Sequence, residues 1–125
     1  MPTYIGYGRF TPEAMRGMLQ NPEDRTQVVS QLFETCGAKL TSWHFTPGCS
    51  DFDWILMAEA PNEESLMNAA LVSIGGGASQ NIRIIRAISG SEVPRVFQKG
   101  SEAARSFTIP GQQQGAKGGQ ETDQK

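Results

Sequence analysis

The chain has 125 residues, with 11 Lys and Arg against 13 Asp and Glu and a formal net charge of −2. That length supports one hydrophobic core rather than two, and no basic stripe is present to hold nucleic acid. The longest unbroken apolar run, Trp54 to Ala58, falls far short of the ~20 residues of a membrane span, and no charged region followed by an apolar block reads as a secretory signal.

Residues 3–10, TYIGYGRF, are aromatic and β-branched and predict a strand. Tyr4, Gly6, Gly8 and Phe10 share one of its faces; Ile5, Tyr7 and Arg9 share the other. Thr11 is placed to N-cap a helix with Pro12 at its first position, and Ala14, Met15, Met18 and Leu19 follow at helical spacing. Asn21-Pro22 repeats the start signal, and Val28, Val29, Leu32, Phe33 and Cys36 form a second apolar stripe that Gly37 ends. The expectation is one helical arm interrupted near Pro22.

Residues 39–45, KLTSWHF, predict a second strand, and Thr46-Pro47-Gly48 turns it into a returning strand over 51–60, DFDWILMAEA. A helix then starts with Asn62 as its cap and Glu63 and Glu64 favourably placed against its dipole. Leu66, Met67, Ala69, Ala70, Val72 and Ile74 carry its buried side as far as Gly75-Gly76-Gly77. NIRIIRAIS, 81–89, predicts the last strand, and Ser91–Lys99 a short terminal helix containing Val93, Val96 and Phe97. No large apolar residue follows Ile109, so 109–125 is expected to be a disordered tail rich in Gly and Gln, and 1–108 the folded domain. The two cysteines, Cys36 and Cys49, are too few for a disulfide framework and lack a CxxC spacing; free thiols in a reducing cytoplasm are expected.

The order β-α-β-β-α-β with a C-terminal helix predicts an α+β, ferredoxin-like fold, one antiparallel sheet with two helices on a single face. Phe52, Trp54, Leu56 and Ala58 fall on one side of the third strand, and Ile55 and Met57 on the other. In the last strand Ile82, Ile84 and Ile88 stand against Ile85 and Ala87. Both faces are apolar and there is helix enough for one, so the expected partner is a second copy of the chain, sheet against sheet. The alternative is that the C-terminal helix folds across the open face.

MPTYIGYGRFT at the start, the join from Gly37 to Leu40, Gly48 followed by Phe52-Asp53, and Glu59-Ala60-Pro61 together resemble the GYD-domain proteins over roughly residues 1–90. The resemblance implies a dimeric α+β barrel, in which two ferredoxin-like sheets face each other, and it implies no established activity. It puts Asp53 in the place of the aspartate for which that family is partly named. Phe52 replaces the motif tyrosine, removing a hydroxyl, and the turn before it is about two residues longer than usual.

Asp51 and Asp53 project to one face of their predicted strand. On a structural reading they accept backbone N–H groups beside a turn; on a functional one, one of them pairs with His44 across the hairpin. Placing Phe45 opposite Asp51 turns His44 away from both carboxylates, whereas a one-residue bulge sets His44 opposite Asp53. The catalytic candidates are therefore His44, Asp53 and Arg86, the last with Arg83 on the opposite face of its strand. The ligand-binding candidates are Gly6, Gly8 and Asp51, since missing side chains leave room that a ligand or a facing aromatic fills. His44 is the only histidine, and the set His44, Cys49 and Asp53 matches no metal-ligand spacing, so neither metal nor cofactor is expected. Gly75 to Ser79 follows a helix and lacks a lysine, unlike a phosphate loop. The expected function is a homo-oligomeric module binding a small ligand or partner. The alternatives are a dimeric-barrel oxygenase or isomerase type of enzyme with His44 and Asp53 in a cleft, and a tautomerase using Pro2 as an N-terminal base.

Overall fold

A computed structural model of the chain describes residues 1–49 and 51–111. Contacts divide the chain into two units between Ile88 and Ser89. The first contains β1 (Thr3–Phe10), α1 (Pro12–Gln20), α2 (Thr26–Thr35), β2 (Lys39–Phe45), β3 (Trp54–Glu59), α3 (Glu63–Gly75) and β4 (Ser79–Ala87). Its four strands make one antiparallel sheet in the order β2-β3-β1-β4, the ferredoxin-like arrangement. The second unit carries a 3-10 turn, Gly90–Glu92, and α4 (Val93–Ala104), which runs five residues past the predicted end at Lys99. Residues 112–125, most of the predicted tail, lie outside the described residues.

The helical arm is two separate helices. Thr11 caps α1 as predicted, its Oγ1 accepting the Ala14 N–H at 3.0 Å. The second helix begins at Thr26 rather than at Pro22, because Asp24 supplies the acceptor: its Oδ1 takes the Thr26 N–H at 2.9 Å. That backbone bond holds the Asp24 carboxyl below the ordinary carboxylate value. Gly37, at φ +84°, ends α2 in a conformation that only glycine adopts without strain, and the Ala38 N–H returns to the Phe33 carbonyl at 2.8 Å. Asn62 caps α3 by accepting the Ser65 N–H.

α2 packs on β2 and α3 on β4, and the two helices touch each other. Beneath them lies the core, in which Tyr4, Trp54, Leu56 and Ala58 of the sheet meet Phe33, Leu66 and Ala69 of the helices. Two bulges keep these side chains on the helix side. In β2 the register slips between Leu40 and Ser42, so Leu40 and Trp43, three apart, pair with Ala58 and Leu56 on one face. In β4 an extra residue falls between the partners of Tyr7 and Arg9. Asn81, at φ 55°, is a residue type that tolerates this left-handed backbone, and it lets Ser79 and Ile82 both turn toward the helices. The last strand consequently begins at Ser79, before the predicted 81, and ends at Ala87.

The third strand is shorter than the predicted 51–60, starting at Trp54. Phe52 lies outside it and does not share the Trp54 face. Its ring stacks on Tyr7, centroids 4.9 Å apart, on the side of the sheet away from Trp54. That second side carries Ile5, Tyr7, Ile55, Met57 and Ile85, with Met57 40% and Ile85 47% exposed.

Candidate functional site

The two glycines of β1 govern the face under the helices. Gly8 pairs with Trp54, whose indole lies across it: a Cβ on Gly8 would sit 2.7 Å from Trp54 Cζ2 and 3.1 Å from Ile82 Cγ1. The aromatic thus takes the room at Gly8. At Gly6 a Cβ would meet only the Leu56 side chain closely, at 3.3 Å, and space remains. The result is a cavity of about 80 Å³ between sheet and helices. Its floor is Gly6, Trp54, Leu56, Ile82 and Ile84. Val29, Leu32 and Phe33 of α2 and Leu66, Ala69 and Ala70 of α3 close it from above. Phe10, whose ring stands 6.3 Å from that of Trp43, forms one end with it.

Few polar groups reach this space. Ser79 is buried in its wall, and Ser73 and Arg25 are partly exposed members of it. Arg25 NH1 contacts Glu23 Oε1 at 3.2 Å. Trp54 is only 6% exposed, and its Nε1–H has no hydrogen-bond partner among the described residues. A buried donor left unpaired costs free energy that a suitable acceptor restores.

The residues nominated from the sequence fall elsewhere, with one exception. Asp53 is a fastening: its Oδ2 accepts the Phe10 N–H at 2.9 Å, its own N–H donates to Gly8 O, and its carbonyl accepts the Thr46 N–H. These bonds continue the β1–β3 and β2–β3 ladders one step past Trp54, where the chain has already left strand geometry. Asp51 is exposed in the turn. His44 pairs with Ile55, not with either aspartate, and projects from the opposite face to Phe45 and Trp54. Arg86 lies on β4, at the far edge of the sheet from β2, with its guanidinium 5.9 Å from the centre of the Tyr4 ring. His44, Asp53 and Arg86 are therefore not brought together. Of the glycines, Gly6 lines the cavity. Pro2 sits at the other end of β1, where its carbonyl accepts the Ala60 N–H. Among the described residues no three His, Cys, Asp or Glu side chains gather as metal ligands.

The family model of the GYD domain matches residues 4–96, about three quarters of the chain. The chain belongs to the GYD domain family. No curated protein matches it as a relative. In this GYD domain Asp53, which the resemblance puts at the motif aspartate, secures the turn to β1, and Phe52 packs on Tyr7 rather than lining the cavity. Glu59-Ala60-Pro61 ends β3, and Ala60 is fully buried where the chain turns toward α3.

Sequence reasoning passed over the polar members of the cavity. Trp54 reads as part of an apolar strand face, Trp43 as one residue of an aromatic and β-branched strand, and Ser79 as part of a glycine-rich link. Only the β4 bulge brings Ser79 inward. The one legible signal was the Gly6, Gly8 pair, which marks a face with room to fill.

Proposed function

We propose that this GYD-domain protein is a homo-oligomeric binding module that holds a small molecule between its sheet and its helices. The observation that carries this reading is the apolar cavity above Gly6. Protein interiors hold few voids larger than a water molecule, and concave, mostly apolar spaces with a few polar groups are where small ligands bind. Titrating methyl-labelled protein with a set of small apolar molecules tests it. Shifts clustered on Val29, Leu32, Leu66, Ile82 and Ile84 are expected, and the absence of any response there overturns the reading.

Self-association rests on the other face. Ile5, Tyr7, Ile55, Met57 and Ile85 form an apolar surface on the sheet, and a second copy supplies the same surface in return. Arg83 and Glu59, on that face too, provide charges of both signs for a self-complementary contact. Light scattering during size-exclusion chromatography at micromolar concentration is expected to give at least twice the 13.6 kDa chain mass. The pair Met57→Glu and Ile85→Glu is expected to return the mass to that of one chain without loss of helix signal. A monomeric wild type refutes the assembly. A cytoplasmic location is supported by the two free thiols, Cys36 and Cys49. No helix among the described residues is long and apolar enough to cross a membrane.

A further inference from the structure

The chemistry of the cavity wall is one-sided. Trp43, Trp54 and Arg25 are among the residues that line it, and the polar groups of their side chains, two indole N–H groups and a guanidinium, can only donate hydrogen bonds. Ser73 and Ser79 can donate or accept. Among the described residues no carboxylate, amide or imidazole side chain lines the space. One of these donors, Trp54 Nε1–H, is buried and has no hydrogen-bond partner among the described residues, and Arg25, the cation among the described lining residues, stands in a partly exposed position with Glu23 beside it.

From this we infer that the cavity takes a small carboxylic acid with a compact, branched apolar body, bound through acceptor oxygen to Trp54 Nε1–H and Arg25. The inference rests on the cavity being the ligand site. An occupant bearing acceptors pairs a donor that otherwise stays unsatisfied, whereas one bearing only donors leaves it so and adds its own. The charge follows from Arg25. Its contact with Glu23 is a partly exposed ion pair, weak enough to give way to a carboxylate. The size follows from the volume: about 80 Å³ is roughly half of the ~150 Å³ cavity that holds benzene. A body of about four carbon atoms suits it better than an aromatic ring.

Three molecules of one shape separate the possibilities: 3-methylbutanoate, 3-methylbutanamide and 3-methylbutan-1-amine, the last as its ammonium ion. Each is titrated into the full chain while the two indole N–H signals are followed by proton–nitrogen NMR, assigned with Trp43→Phe and Trp54→Phe. The carboxylate is expected to bind tightest, the amide next, and the ammonium at least about tenfold more weakly than the carboxylate. The Trp54 N–H is expected to move downfield with the first two. Trp54→Phe is expected to weaken carboxylate and amide alike, by roughly tenfold. Because that substitution touches the core, Arg25→Gln gives a second reading at a partly exposed position. It is expected to bring the carboxylate down to the affinity of the amide while leaving the amide unchanged.

Equal binding of all three, or tightest binding of the ammonium ion, overturns the inference, as does Arg25→Gln leaving the carboxylate unaffected. If none of the three binds but the cavity methyls answer to other apolar molecules, the ligand class is refuted and the binding module stands. If no molecule moves those methyls, both are refuted.

Discussion

The two faces of the sheet are made by the same strands, residue by residue in alternation, and both are apolar, yet they end differently. Under the helices, β1 contributes Tyr4, Gly6, Gly8 and Phe10, and its two missing side chains leave a recess into which Trp54 and Leu56 lean. On the other side β1 contributes Ile5, Tyr7 and Arg9, with a side chain at every position and no such recess. One face has become a core with a cavity. The other carries Ile5, Tyr7, Ile55, Met57 and Ile85 with Glu59 and Arg83 among them. What separates them is less hydrophobicity than the distribution of side-chain volume along one strand.

Neighbouring residues on β3 give the sharpest way to break that contrast. Leu56 is 6% exposed and Met57 40%. Leu56→Ala enlarges an existing cavity and is expected to cost about 3–5 kcal/mol in urea denaturation. Met57→Ala, measured at concentrations where chains are separate, is expected to cost less than about 1 kcal/mol. Equal costs would show that the second face is packed as tightly as the first.

The glycines offer the next test. Gly8→Ala forces a methyl against the Trp54 ring and is expected to cost about 1–3 kcal/mol, seen as a lower thermal midpoint. At Gly6 the nearest neighbour is a Leu56 methyl, which can yield, and Gly6→Ala is expected to cost less than Gly8→Ala. A reversed order would mean that the indole does not fix the recess.

Asp53 and His44 provide a test at the hairpin. Asp53→Ala leaves the Phe10 N–H without its acceptor and is expected to cost about 1–2 kcal/mol. His44→Ala is expected to be near neutral, and the double variant to be additive within about 0.5 kcal/mol. A larger coupling energy would reinstate the two as a pair.

The smallest effect is the acid dependence at Asp24, outside both faces. Its folded-state value is lowered by the Thr26 N–H. The associated stability is therefore present above the ordinary carboxylate value and lost as pH falls through the lowered one. The difference in thermal midpoint between wild type and Asp24→Ala is expected near neutral pH and is expected to close in acid.

Much of this architecture could be read directly. β1 and β2 lie where their aromatic and β-branched runs put them, and Thr11 and Asn62 cap the helices they were expected to cap. These features depend on a few neighbouring residues, so local chemistry suffices to locate them. The misreadings within the sheet turn on breaks in alternation. Assigning Phe52 to the Trp54 face and starting β4 at residue 81 assume none, and the two registers left open for His44 differ by one bulge. The chain breaks alternation at Asp53, near Thr41 and at Asn81, and each break depends on which strand lies alongside.

Sequence by itself determined the order of elements, the ferredoxin-like fold, the two-sided apolar sheet and the family, because period and capping are set by residues close together in the chain. Tertiary structure alone decided what the candidate residues do. It turned Asp53 into a bond to Phe10, set His44 opposite Ile55, laid Trp54 over Gly8, and gathered Arg25, Ser73 and Ser79 around one cavity. Those outcomes join residues up to dozens of positions apart. Register, bulges and the packing of α2 and α3 on the sheet fix them, and no local rule of periodicity contains that information.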